Sequence, residues 1–130
     1  AISNAKNINK MNDNKLAYNI SCLSETVGIY ALDYETRIEN YIDQVIKVRD
    51  LAVAQLDEIQ ELEVYPSSAN FVLFTFDEWE KYQSFKNRVE RTPIRLRFFD
   101  DGPEKLKRSV RITITNLESY EAFYKILKEC

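Results

Sequence analysis

The chain has 130 residues, 45% hydrophobic and 30% charged, a composition that fits one globular domain able to bury roughly two thirds of its unfolded surface. Its net charge of −3, from 18 basic and 21 acidic residues, leaves no basic footprint for a nucleic acid. It contains no histidine, which removes histidine-dependent hydrolase triads and most zinc sites, and no apolar run nears the roughly 20 residues a membrane helix needs.

Residues 4–14, with five asparagines among lysines, read as a short helix followed by a loop. Residues 21–32 place Leu23, Val27, Tyr30 and Ala31 at helical spacing. The longest helix is expected over 36–62. Its apolar stripe is Ile38, Tyr41, Ile42, Val45, Val48, Ala52, Leu56 and Ile59, and its polar face carries Glu39, Asp43, Lys47, Asp50, Asp57 and Glu61.

Pro66 ends or offsets the next extended run, because it cannot donate to a ladder. Residues 70–76, rich in Phe and Val, form a strand. Asp77, with Glu80 three residues on, reads as the cap of a helix whose apolar face is Trp79, Tyr82, Phe85 and Val89. Thr92 and Pro93 break that helix. Residues 94–99 alternate Ile94, Leu96 and Phe98 with Arg95 and Arg97, the pattern of a half-buried strand. The segment Asp100-Asp101-Gly102-Pro103 is a turn, with its two acids read as solvated. Residues 109–115 set Val110, Ile112 and Ile114 against Arg111 and Thr113, and Asn116 caps a last helix striped with Tyr120, Phe123, Tyr124 and Leu127.

The order predicts an α+β fold. A small three- to four-stranded sheet carries helices on one face and follows a long amphipathic helix. The aromatic residues fall on helix and strand faces and read as core. Cys22 and Cys130 lie far apart and read as reduced thiols. The N-terminus lacks the pattern of a signal peptide. The opening Ala1 suggests a piece cut from a longer protein, with a processed terminus as the alternative.

Two segments carry most of the chemistry. In Val110-Arg111-Ile112-Thr113 a cation is set inside a strand, where buried charge calls for an anionic partner. Arg111 reads either as a paired or edge arginine or as a ligand residue; Arg97, close to Arg91 and Arg95, reads either as a ligand residue or as part of a solvated basic edge. Asn70 opens an apolar strand, where it either bonds the backbone or faces a site.

These segments resemble the C-terminal small domain of the histidinol-phosphate aminotransferases, which are fold-type I pyridoxal-phosphate enzymes. The most specific match is Val64-Tyr65-Pro66-Ser67-Ser68-Ala69-Asn70-Phe71, similar to the family's V-x-P-S-x-A-N-F. Lys15-Leu16-Ala17-Tyr18-Asn19 resembles the K-x-P-Y-N junction, with Ala17 for proline. Ile94-Arg95-Leu96-Arg97 resembles G-I-x-V-R, with Pro93 where glycine is usual. Val110-Arg111-Ile112-Thr113 resembles L-R-I-T, but the chain continues Ile114-Thr115-Asn116-Leu117-Glu118-Ser119 where the family has G-T-x-E-E-N.

The resemblance implies residues 1–20 as a junction from a large cofactor domain and 21–130 as the small domain. It implies Arg111, Arg97 and Asn70 as substrate-binding residues and pyridoxal 5′-phosphate as the cofactor of the intact enzyme, held by upstream residues. The fragment alone is then expected to be inactive and to bind no cofactor. The implied enzyme is a cytoplasmic homodimer of histidine biosynthesis, acting on small anionic amino-acid substrates and touching neither nucleic acid nor membrane. The alternatives are a threonine-phosphate decarboxylase or other related aminotransferase, and a non-enzymatic stand-alone α+β binding or interaction domain.

Overall fold

The computed structural model describes residues 3–15 and 20–129. Two compact units divide the chain, residues 1–39 and 40–130.

The first unit holds helices α1 (Ala5–Asn14) and α2 (Cys22–Leu32) and the start of α3 (Glu35–Asp57). Each of the first two is opened by a side-chain cap. Asn4 Oδ1 accepts from the Asn7 amide at 3.0 Å, and Ser21 Oγ accepts from the Ser24 amide at 3.1 Å. Neither helix buries a residue, although α2 is rich in apolar residues. Cys22 is a free, exposed thiol. Cys130 and residues 16–19 of the junction motif lie outside the described residues.

The second unit is an α+β layer, as the element order predicts. Strands β1 (Leu62–Tyr65), β2 (Phe71–Phe76), β3 (Arg97–Phe98) and β4 (Ser109–Thr113) form one antiparallel sheet in the order β1-β2-β4-β3. Helix α3 from Asn40 on, α4 (Trp79–Val89) and α5 (Leu117–Lys128) share one hydrophobic core with it. Period-two alternation sends Val72, Phe74, Phe76, Val110 and Ile112 into that core. There they meet Val45, Val48, Ala52 and Leu56 of α3, Tyr82, Phe85 and Val89 of α4, and Tyr120, Phe123 and Leu127 of α5. The aromatic rings are core, as expected: Phe74, Phe76, Phe85 and Phe123 form a chain of tilted and edge-on contacts at 5.4–6.5 Å.

Several details differ from the sequence reading. The long helix stops at Asp57, and Leu62 begins a fourth strand, β1, which pairs with β2 from Leu62↔Phe76 to Tyr65↔Leu73. Helical spacing through Ile59 hides the break, because Ile59 still packs on the core from the turn that bonds Leu62 N to Ile59 O at 3.0 Å. The stripe is buried only from Val45 on; Ile38, Tyr41 and Ile42 are exposed.

Asp77 does not cap α4. The N-cap residue is Glu78, whose side chain makes no capping bond, and Asp77 instead lies 3.4 Å from Lys81 Nζ. Trp79 is 46% exposed, its ring 5.3 Å from that of Tyr82. The third strand contracts to Arg97 and Phe98, while the alternation of exposure from Ile94 to Phe98 is as expected. Asn116 caps α5 through Oδ1, which accepts from the Ser119 amide at 2.8 Å.

The sheet face away from the core is set by the same register. Leu73 pairs with Arg111, and Thr75 with Ser109. The last two hydroxyls are buried and lie 2.7 Å apart, closing that end of the face.

Candidate functional site: an arginine cleft at the sheet edge

At the other end of this face, antiparallel pairing sets Arg97 of β3 directly opposite Arg111 of β4. Cross-strand partners share a face, and like charges placed so repel each other. A shallow cleft of about 560 Å3 opens there, lined by Arg95, Leu96, Arg97, Phe98, Arg111 and Thr113.

No carboxylate of the described residues answers the two arginines, since none of the ion pairs involves Arg97 or Arg111. The anionic partner expected for Arg111 is therefore not supplied by its own strand neighbours. Aromatic faces support the guanidinium groups instead. Arg111 Cζ lies 5.1 Å over the Phe71 ring, and Arg97 Cζ lies 5.3 Å over the Phe99 ring. Arg111 is half-buried, and its Nε is a buried donor without a hydrogen-bond partner among the described residues. An orphaned charged donor of this kind costs free energy unless a ligand or water meets it. Arg95 is differently placed: its Nη1 donates to the carbonyls of Thr92 and Ile94 at 3.0 and 3.1 Å.

Of the three residues read from sequence, the fold brings Arg97 and Arg111 together and leaves Asn70 apart. Asn70 is exposed at the head of β2 and does not line the cleft; its backbone carbonyl accepts from the Ile114 amide at 2.7 Å. The serine of its motif has a local role. Ser67 Oγ donates to Phe71 O at 2.5 Å and accepts from the Ala69 amide at 3.2 Å, closing the turn that starts β2. That turn delivers Phe71 beneath Arg111. The support given by Phe71 and the edge formed by Thr113 were not read from sequence; only the strand register, Phe71↔Thr113, reveals them.

Asp100 is a correction. It is no solvated turn acid: Tyr82 Oη donates to its Oδ1 at 2.5 Å and Lys86 Nζ to its Oδ2 at 2.6 Å. The Lys86 bond, then the Tyr82 bond, hold its carboxyl below the usual range. The bond to Asp100 raises Lys86 in turn, and burial followed by the same carboxylate raises Tyr82. Asp101 beside it is exposed, as expected.

A second hollow of about 520 Å3, lined in part by Leu62, Phe76, Lys81 and Leu127, is more apolar. Its Lys81 is already paired with Glu61, Asp77 and Glu78. Among the described residues no cluster of acids or cysteines could hold a metal, and no helix is long and apolar enough to cross a membrane.

No protein-family model matches the chain. The histidinol-phosphate aminotransferase of Ruminiclostridium cellulolyticum is 32% identical over 121 residues, covering 91% of this chain and 32% of that protein. The enzyme of the same name from Caldanaerobacter subterraneus is 28% identical over 129 residues, covering 99% of this chain and 35% of that protein. The chain thus spans about a third of the length of these relatives. Among solved structures, a decarboxylase from Sulfurospirillum multivorans superposes with a TM-score of 0.74 at 25% identity, over 97% of this chain and 36% of that one. The L-threonine-O-3-phosphate decarboxylase from Porphyromonas gingivalis shares the fold, with a TM-score of 0.70 at 16% identity, over 98% of this chain and 39% of that one. Along nearly its whole length the chain is thus similar to the C-terminal third of histidinol-phosphate aminotransferases.

Proposed function

We propose that the chain is the substrate-anion-binding small domain of a pyridoxal-phosphate-dependent aminotransferase. The intact enzyme would move an amino group between L-histidinol phosphate and 2-oxoglutarate, in histidine biosynthesis. The observation that carries the reading is the Arg97–Arg111 pair, two like charges facing one cleft without a carboxylate of their own. A guanidinium binds phosphate or carboxylate through two parallel hydrogen bonds, and both substrates of this transamination are anionic. In this role the Arg111 guanidinium meets the anion, Arg97 meets it from the neighbouring strand, and the Phe71 and Phe99 rings support the two groups. Asn70, outside the cleft lining, is proposed as a third substrate-binding residue on the family resemblance alone.

The cofactor does not belong to this cleft. The lining offers three guanidinium groups but no lysine to bond a carbonyl carbon and no carboxylate for a pyridine nitrogen. In the resembled family those groups lie upstream, in the large domain. Residues 1–20 then form the junction from that domain and 21–130 the small domain, in a cytoplasmic homodimer. The fragment by itself binds no cofactor and turns over no substrate.

Two other readings share the arginine pair. The fold neighbour that decarboxylates threonine phosphate supports a related phospho-amino-acid enzyme, as does the departure from the family's motif at Ile114. A stand-alone anion-binding domain would use the same cleft without chemistry. The test is an assay of the full-length protein with L-histidinol phosphate and 2-oxoglutarate. Glutamate formation supports the proposal. Decarboxylation of threonine phosphate without transamination selects the second reading, and anion binding without either reaction selects the third.

A further inference from the structure

The arginine cleft depends on a strand that is barely a strand. β3 has two residues, and its whole ladder with β4 is Arg97↔Arg111 and Phe98↔Val110. So short an edge pairing holds little by itself. The segment just beyond it is better anchored. Asp100 accepts from Tyr82 Oη at 2.5 Å and from Lys86 Nζ at 2.6 Å, and these donors sit four residues apart on one face of α4. Tyr82 is fully buried. Its ring meets Phe98 edge-on at 5.9 Å, and Lys86 Nζ lies 5.7 Å over that same ring. The bond to Asp100 raises the Lys86 ammonium above its ordinary value, and Glu90 and Asp101 add negative charge around it.

The pleat transmits this anchoring. With Phe98 held against the core, Arg97 must point to the opposite face. Phe99, whose ring carries the Arg97 guanidinium, stands between the two anchored residues Phe98 and Asp100. We propose that Asp100 is a positioning residue for the anion cleft: by joining Tyr82 and Lys86 it ties the end of β3 to α4 and so sets where the Arg97 guanidinium stands relative to Arg111. The inference rests on the anion-binding reading above. It makes the contribution of Arg97 depend on Asp100, whereas Arg111, on a strand paired at both edges, is independent of it.

The experiment follows the side-chain Nε–H signals of Arg97 and Arg111 by NMR while inorganic phosphate is added to the 130-residue chain. In the unaltered chain both signals are expected to move with one apparent Kd. In Asp100→Ala and Lys86→Met, Arg111 still responds, the Arg97 response shrinks, and the apparent Kd weakens about three- to tenfold. Asp100→Glu, which keeps a carboxylate, restores part of the response. Lys86→Met retains the stem that packs on Phe98 and the Tyr82–Asp100 bond, so it carries the test if Asp100→Ala fails to fold. An unchanged Arg97 response and Kd in these variants overturns the positioning role while leaving the anion site standing. No response at either arginine of the unaltered chain overturns the anion site and this inference with it.

Discussion

Arg97 and Arg111 stand opposite each other as direct cross-strand partners, each guanidinium resting on a phenylalanine ring instead of a carboxylate. Their repulsion and their ring contacts work in opposite directions, at about 0.2–1 and 0.5–1 kcal/mol respectively. Arg97→Gln is therefore expected to change the stability of the chain by less than about 0.5 kcal/mol in chemical denaturation. In the intact enzyme the same change should lower kcat/KM about 10- to 100-fold, through loss of a charge-assisted contact. Lost activity that merely tracks lost folding would show Arg97 to be structural.

Arg111 gives a larger effect. Arg111→Ala removes a fork-shaped donor worth roughly 2–4 kcal/mol to a bound anion, so kcat/KM should fall on the order of 30- to 1000-fold. Arg111→Lys recovers only part of this, because an ammonium cannot form two parallel bonds. Steady-state kinetics beside thermal melting of full-length variants checks both; near-normal kcat/KM for Arg111→Ala would remove the arginine from the site.

The buried hydroxyl pair can be tested in the chain alone. Thr75→Val preserves shape but leaves the fully buried Ser109 hydroxyl without its 2.7 Å partner. A cost of about 1–3 kcal/mol is expected, and Thr75→Val with Ser109→Ala should regain much of it, because neither group then needs a bond. Urea unfolding of the two singles and the double measures this directly, and additive losses would count against the pair.

The Asp100 clamp has a pH signature. Its folded carboxyl lies below the ordinary value of 3.8, held there first by Lys86 and then by Tyr82. Its stabilising contribution is thus fully present above about pH 4 and is lost as the pH falls through the lower folded value. Stability measured down an acid series should drop more steeply for the unaltered chain than for Asp100→Asn. Equal acid limbs would mean that the carboxylate contributes nothing.

Much of the fold is legible in the residue pattern. The core stripes of α3, α4 and α5 follow from period 3.6, and the inward residues of β2 and β4 from period 2. Arg97 and Arg111 stand at outward positions of alternating runs, but so does Arg95; the family resemblance, not the periodicity, singles out those two. Spacing does not show strand order, and with it the meeting of Arg97 with Arg111 and the shelter of Phe71. The strand β1 is hidden by Ile59 and Leu62, which continue the helical stripe numerically while the backbone has already turned. Asp100 reads as solvated because its partners, Tyr82 and Lys86, lie 18 and 14 residues away, beyond any local pattern.

The order β1-β2-β4-β3 also governs how the domain can assemble. Its two central strands meet across a long intervening segment; Thr75 and Ser109, partners in the ladder, are 34 residues apart. Closing a loop of that length costs about 3 kcal/mol of chain entropy before the first rung forms. The helices can flicker into existence locally, but the complete arginine face cannot, because the Phe71 ring comes beneath Arg111 only once β4 has docked on β2. The cleft is therefore among the last features to appear in folding and among the first to be lost in partial unfolding, and a chain trapped before that closure would hold its helices yet present no anion site at all.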